Sequence, residues 1–183
     1  GLVGSEMCIR DRDELGLSDT TVYLNVSAHT IMHQEFCKIF SRFVEENNIK
    51  ENEFGLEITE TAELEDTKKA GESLERLKKR GIKIALDDFG AGYASLKYIR
   101  DLPIDVVKLD RHFTSNISDP STSRLIKFVS DVCAELNLEM IGEGIETEKE
   151  KNMMIELGCL TGQGFLMHMP SFIEDIKKEN NDG

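Results

Sequence analysis

Two adjacent carboxylates, Asp87 and Asp88, are the residues of this chain with the clearest chemical potential. They end an apolar run, Ile82–Leu86, and a loop with Gly90 and Gly92 follows them. Neighbouring carboxylates at the end of a buried strand repel each other unless a cation lies between them. The pair could therefore bind one ion each or bridge two ions, and the alternative is an exposed turn in which one Asp caps the next helix.

Similar polar residues follow other apolar runs along the chain. Most carry hard oxygen ligands, which favours Mg²⁺ or Mn²⁺ over zinc, and two such ions roughly 3.5 to 4 Å apart can clamp a phosphodiester. Each residue alone could have an ordinary structural role, but their recurrence at successive strand ends favours one shared site. The set comprises Asn25, Glu57, Glu60, Asp87, Asp88, Lys108, Asp110, Glu143, Glu146 and Gln163.

The elements that position this set are repeated units of a short apolar strand and an amphipathic helix. Their spacing is typical of βαβ units, which build either an open doubly wound sheet or a closed (βα)8 barrel. We favour the α/β barrel, because polar residues follow nearly every strand and a barrel collects strand ends at one rim. The six predicted strands lie near Val22–Ser27, Phe54–Thr59, Ile82–Asp87, Ile104–Leu109, Leu138–Gly142 and Thr161–Leu166.

Start and stop signals delimit the predicted helices. One helix begins at Asp119-Pro120, a capping residue before a proline, and its apolar stripe is predicted to be Leu125, Val129, Val132 and Leu136. Further signals are the apolar pair Leu74 and Leu77 before Gly81, and the capping box Thr147 to Glu150 before Gly158.

Composition narrows the class of protein. The chain has 183 residues, 39% of them hydrophobic, and a formal net charge of -13. This charge argues against binding to DNA or RNA polymers, and a small anionic substrate requires metals that invert the local field. Cys8, Cys37, Cys133 and Cys159 form no metal or disulfide motif, which predicts reduced thiols and a cytoplasmic location.

The ordered motifs resemble the EAL domain family of cyclic di-GMP phosphodiesterases over about residues 20–172. They are Asn-Val-Ser, Glu-Ile-Thr-Glu, Asp-Asp-Phe-Gly-Ala-Gly-Tyr-Ala-Ser-Leu, Leu-Pro-Ile-Asp-Val-Val-Lys-Leu-Asp, Gly-Glu-Gly-Ile-Glu-Thr and Gln-Gly-Phe. The resemblance implies a modified (βα)8 barrel that hydrolyses cyclic di-GMP to linear pGpG with Mg²⁺ or Mn²⁺.

The resemblance also implies a role for each residue of the set. Glu143 would be a metal ligand or the general base, Lys108 would contact the attacking water or the second ion, and Glu60 would brace the loop 89–95. Asp110, Glu146 and Gln163 would support the pocket. The implied metal ligands are Asn25, Glu57, Asp87, Asp88 and Glu143.

The chain departs from the family pattern at its start. The Glu-Ala-Leu motif and two of eight strands are absent, and residues 1–12 resemble a sequencing artefact. We interpret residues 13–176 as a partial EAL domain and residues 177–183 as a frayed tail. Met169 stands where a basic residue is common. We expect the intact parent protein to be the enzyme and this fragment alone to be inactive and unstable.

Two other functions remain open at this point. One is a receptor or interaction domain that binds cyclic di-GMP without hydrolysing it, and the other is a metal-dependent lyase that acts on a carboxylate through an enolate. For the parent protein, the resemblance further implies a tether to sensory or GGDEF-type domains, with a homodimer and an upstream membrane anchor as options.

Overall fold

The computed structural model describes residues 20–59, 66–91, 95–169 and 171, which alternate between strands and helices. The strands are β1 Val22–Asn25, β2 Phe54–Thr59, β3 Lys83–Phe89, β4 Val106–Leu109, β5 Glu139–Gly142 and β6 Thr161–Gly162. The helices are α1 Ala28–Met32, α2 Gln34–Glu46, α3 Thr67–Lys78, α4 Ser95–Asp101, α5 Arg111–Ser115, α6 Pro120–Glu135 and α7 Glu148–Glu156.

The sheet decides between the two predicted architectures. Its order is β1-β2-β3-β4-β5-β6, and every neighbouring pair is parallel. A doubly wound sheet reverses its strand order at a switch point, whereas a barrel adds strands in chain order. The six described strands therefore form a truncated α/β barrel, as predicted.

The two faces of the sheet differ in polarity because side chains alternate along each strand. Leu56, Ile84 and Val107 point toward the helices and are fully buried in the hydrophobic core. The opposite face carries Glu57 and Lys108, and the carboxylate of Glu57 contacts the ammonium of Lys108. This alternation places the apolar core between the sheet and the helices and leaves the polar face for a site.

The predicted start of α6 is confirmed, but its predicted apolar stripe is only partly correct, because Val129 is its one buried member. Asp119 caps the helix through its side chain, and Pro120 occupies the first turn. The buried face, however, is Ile126, Val129, Ser130 and Cys133, whereas Leu125 and Leu136 are 54% and 51% exposed. Spacing alone does not reveal the direction of the core when apolar residues occupy two sides of a helix.

Strand β6 is shorter than predicted. It ends at Gly162 instead of Leu166, and the chain then turns through Gly164. Gly164 has φ +157°, and a Cβ there would lie 2.2 Å from the carbonyl oxygen of Ile145. The close backbone approach ends the strand and leaves Gln163 directly after it.

The other helix signals agree with the structure. Leu74 and Leu77 are fully buried, α3 ends just before Gly81, and the capping box between Thr147 and Glu150 has both hydrogen bonds. Cys37, Cys133 and Cys159 are free and buried, whereas Cys8 lies outside the described residues. Within the described ranges, no helix has the length and hydrophobicity to cross a membrane.

Candidate metal and substrate site

The carboxyl ends of neighbouring strands bring the predicted acidic residues together. In the register of β1, β2 and β3, Asn25 is paired with Glu57, and Thr59 with Asp87. Lys108 lies on β4, and Glu143 directly follows β5 with its backbone N–H bonded to the carbonyl of Leu109. Residues far apart in the sequence thus converge because parallel strands end at one edge of the sheet.

Lys108 is the centre of this arrangement. Its side chain is only 7% exposed. Three carboxylate oxygens surround its Nζ: Glu57 Oε1 at 2.9 Å, Asp87 Oδ1 at 2.9 Å and Glu143 Oε1 at 2.8 Å. One ammonium thus faces three carboxylates, so these four groups leave an excess of negative charge that a further cation would balance.

Asp88 joins the cluster through an irregular backbone. Consecutive strand residues normally point to opposite faces, but the pairing between β3 and β4 shifts between Leu86 and Phe89, and Asp88 has φ +54°. As a result, one carboxylate oxygen each from Asp87, Asp88 and Glu143 lies within 4.8 Å of the others. The expectation that the two aspartates could bridge ions fits this convergence.

The donor set suits a hard divalent cation. All three clustered ligands are carboxylates, and Mg²⁺, Mn²⁺ and Ca²⁺ prefer oxygen. Asp87 Oδ1 accepts no hydrogen bond of regular geometry from the described residues, although it is 2.9 Å from Lys108 Nζ. A buried carboxylate oxygen with unused lone pairs is consistent with binding a divalent metal.

Burial and charge shift two protonation equilibria in the cluster. Burial disfavours the ammonium of Lys108, but the contacts with Glu143, Asp87 and Glu57 outweigh it and raise its pKa. Burial raises the pKa of Glu143, and the negative charges of Asp87 and Asp88 add to this, against the opposing effect of Lys108. Lys108 therefore stays charged, while Glu143 is a carboxylate with enhanced proton affinity.

A pocket of about 560 Å³ opens beside the cluster. Asp88, Glu143 and Gln163 lie in its wall, and Gln163 Nε2 donates a 2.6 Å hydrogen bond to Glu143 Oε1. Asp110 and Glu146 line the same pocket. Asp110 also caps α5 by accepting a hydrogen bond from the backbone N–H of His112, so one of its oxygens already has a structural role.

The structure thus brings together nine of the ten predicted residues at one rim. Glu60 lies outside the described residues, as do residues 92–94 of the loop that it was predicted to brace. The functional role of each residue stays a prediction.

The predicted set does not include every residue that lines the pocket; Arg111, Phe165 and His168 are among those it omits. Arg111 directly follows the strand-end motif Lys-Leu-Asp, a signal that could have identified it. Phe165 is the last residue of the motif Gln-Gly-Phe, a signal that could have identified it, whereas nothing in the local sequence indicates that His168 lies in the pocket.

A truncated α/β barrel with an acidic rim site defines the class of this protein. The EAL domain family matches residues 6–170, and the chain belongs to this family. A cyclic di-GMP phosphodiesterase of Pseudomonas aeruginosa, PA2567, is 33% identical over 155 residues, which are 84% of this chain and 26% of that protein. The cyclic di-GMP phosphodiesterase PdeA of Borreliella burgdorferi is 38% identical over 149 residues, 80% of this chain and 22% of that protein.

Among solved structures, an EAL domain protein from Listeria monocytogenes matches with a TM-score of 0.86 and 28% identity. The match covers 97% of this chain and 71% of that protein. This agreement confirms the predicted fold class and family. The chain spans about a quarter of the length of the curated relatives described above.

Proposed function

We propose that this chain contributes the catalytic rim of a phosphodiesterase that hydrolyses cyclic di-GMP to linear pGpG with divalent metal ions. The observation that carries the proposal is the cluster of Asp87, Asp88 and Glu143, with ligand atoms within 4.8 Å of one another beside the buried Lys108. Two similar proteins bear the name cyclic di-GMP phosphodiesterase, which supports this substrate over others.

Divalent ions bound at this cluster would polarise the phosphodiester and acidify a water nucleophile. Asp87, Asp88 and Glu143 would hold them, with Glu57 and Asn25 completing the set at the ends of β2 and β1. The choice between Mg²⁺ and Mn²⁺ is open, because both ions take this oxygen donor set.

The chain's own residues would prepare the proton transfer. Glu143 has a raised pKa, so its carboxylate is a better proton acceptor than an ordinary glutamate, and Gln163 fixes its Oε1. Lys108 keeps its positive charge because it lies among the carboxylates of Glu57, Asp87 and Glu143. There it would orient the attacking water or stabilise negative charge that develops on the phosphate.

With divalent ions bound at the acidic cluster, the pocket would suit a planar, anionic ligand. Its volume of about 560 Å³ is in the range of sites for small molecules. Phe165 lines it with a side chain that is 55% exposed, so its ring is accessible for stacking on a guanine base. Arg111 lines the pocket as well, with Nη2 3.9 Å from Glu146 Oε1, and its guanidinium could contact a phosphate.

A product assay on the full-length protein that contains this chain tests the proposal. With Mg²⁺ or Mn²⁺, we expect conversion of cyclic di-GMP to pGpG, resolved by liquid chromatography, and its loss in Asp87→Asn and Glu143→Gln. Glu139→Gln is the matched control, because Glu139 lies on β5 outside the pocket and pairs with Lys83 at 3.8 Å. Normal turnover by Asp87→Asn would refute the assignment.

The same assay separates the enzyme from a receptor. Calorimetric binding of cyclic di-GMP without pGpG formation in either metal would support the non-catalytic alternative. Failure of cyclic di-GMP to bind at all would reopen the lyase hypothesis. Homodimerisation and the tether to sensory or GGDEF-type domains stay predictions.

A further inference from the structure

The convergence of Asp87 and Asp88 depends on an unfavourable backbone conformation. Asp88 has φ +54°, in the left-handed region that few residues with a Cβ adopt and that aspartate tolerates better than most, at the point where the pairing with β4 shifts register. If Asp88 relaxed to a regular extended conformation, its carboxylate would turn away from Asp87 and the cluster would open. Something in the surrounding structure must therefore hold this residue in place.

Hydrogen bonds hold the C-terminal side of the bulge. The N–H of Ala91 donates to the carbonyl of Asp88 at 3.0 Å and closes a tight turn, and the N–H of Asp110 donates to the carbonyl of Phe89 at 3.3 Å. Phe89 itself is buried, with 4% exposure. These contacts fix the residues that flank Asp88 on its C-terminal side, but they leave the space above Gly90 to be filled.

Phe113 fills that space. A Cβ built on Gly90 would lie 2.1 Å from Phe113 Cε2 and 2.7 Å from Cζ, so the ring packs directly against the backbone of the loop. Gly90 has φ +99°, a conformation that favours glycine. Phe113 belongs to α5, the helix that Asp110 caps, and its N–H donates to the Asp110 carbonyl at 3.0 Å.

We propose that Phe113 is a positioning residue for the metal site. Its ring, seated on Gly90, keeps Asp88 in the left-handed conformation and so keeps the carboxylates of Asp87, Asp88 and Glu143 within 4.8 Å. A phenyl ring cannot bind a metal ion, so in this role Phe113 acts through the backbone of the loop. The inference rests on the proposed function only in requiring that the cluster binds divalent ions.

The test is the affinity of the full-length protein for Mn²⁺, measured by calorimetry and by the electron paramagnetic resonance signal of free Mn²⁺. Subtraction of the Asp87→Asn isotherm isolates this site from any others. Phe113→Leu is expected to weaken binding by about tenfold, the range seen when residues that support metal ligands are changed. Hydrolysis of cyclic di-GMP by Phe113→Leu should recover when the Mn²⁺ concentration is raised about tenfold.

Phe36→Leu is the matched control for a general loss of packing. Phe36 on α2 is also a partly buried ring against the hydrophobic core, but it lies outside the pocket. We expect this variant to lose comparable stability in urea and to bind Mn²⁺ like the wild type. Equal Mn²⁺ affinity of Phe113→Leu and wild type, or equal weakening by Phe36→Leu, would overturn the proposal.

A second variant keeps the proposal testable if Phe113→Leu does not fold. Gly90→Ala pushes the ring away from the loop side and should also weaken Mn²⁺ binding. Gly158→Ala is its control, because Gly158 also has a positive φ, +95°, and a Cβ there would lie 2.4 Å from Ser130 Oγ, outside the pocket. Unchanged Mn²⁺ affinity in Gly90→Ala would overturn the inference.

Failure of the proposed function looks different. A wild-type protein that binds Mn²⁺ and depends on Phe113 for it, yet does not hydrolyse cyclic di-GMP, would refute the phosphodiesterase proposal and leave the positioning role intact. A wild-type protein that binds no Mn²⁺ would overturn both.

Discussion

Replacing Lys108 by Met removes the ammonium that contacts Glu57, Asp87 and Glu143. The methionine side chain has a similar length but no charge, so three carboxylates with exposures of 11%, 14% and 15% would repel one another without compensation. Breaking a buried charge pair by removing one partner costs about 3 to 5 kcal/mol. Because the carboxylates retain some exposure, we expect a loss near the lower end, about 3 kcal/mol, in metal-free buffer.

Divalent ions should reverse much of this loss. An ion that binds only the folded protein stabilises it by about 2.7 kcal/mol at a concentration one hundred times its Kd. With Lys108 gone, the cluster is more negative and should bind Mn²⁺ more tightly, so the variant should gain more than the wild type at the same concentration. Hydrolysis of cyclic di-GMP should nevertheless stay at least about a hundredfold below wild type, because the ammonium that would orient the water is missing.

The assay is urea unfolding of the full-length protein in EDTA and in Mn²⁺, with pGpG formation measured in parallel. Lys83→Met is the matched control: Lys83 begins β3, is 29% exposed and pairs with Glu139 at 3.8 Å. An exposed pair of this kind contributes roughly 0 to 1 kcal/mol. If Lys108→Met is no less stable than Lys83→Met in EDTA, the central role of Lys108 is refuted.

Three further predictions concern Gln163, Tyr23 and the edge strands of the sheet. Gln163→Leu removes the 2.6 Å hydrogen bond that favours the charged form of Glu143, so the pKa of Glu143 should rise further. The acidic limb of the pH–rate profile should then move to higher pH. An unchanged profile would show that this hydrogen bond is unimportant. Burial and nearby acids raise the pKa of Tyr23 to about 12, so the unfolded chain loses this proton first and stability should fall as pH rises from about 10 to about 12. In Tyr23→Phe, the free energy of unfolding should fall by about 1 to 2 kcal/mol less over this pH range, after allowance for the partial exposure of the side chain. If the urea midpoint changes equally in the variant and the wild type between pH 8 and 11, the prediction is wrong. Residues 1–183 alone should melt at lower temperature than the full-length protein and form no pGpG, because β1 and β6 each pair on one side only in the described part of the sheet; a cooperative melt with turnover would disprove it.

The strand ends were the most predictable feature of the fold and the site. A strand that stops at a carboxylate is visible in one sequence, and parallel connections bring such ends to the same edge, which is why Asp87, Lys108 and Glu143 were identified together. The capping box at Thr147 was equally visible, because its hydrogen bonds depend only on residues three apart.

The remaining features depend on tertiary contacts that spacing does not encode. The buried face of α6 includes Ser130, whereas the apolar Leu125 is exposed, because the sheet decides which side of the helix is covered. The left-handed Asp88 depends on a register shift against β4, and adjacent aspartates in a regular strand would diverge. Phe113 was missed because its contact with Gly90 joins helix α5 to the loop after β3, which are separate in the sequence.

The most direct measurement is anomalous diffraction at the manganese edge from crystals of the full-length protein grown with Mn²⁺. Our account predicts a strong peak between the carboxylates of Asp87, Asp88 and Glu143 in the wild type, and its loss in Asp87→Asn. Crystals in which these side chains hold their positions with no manganese between them would contradict it.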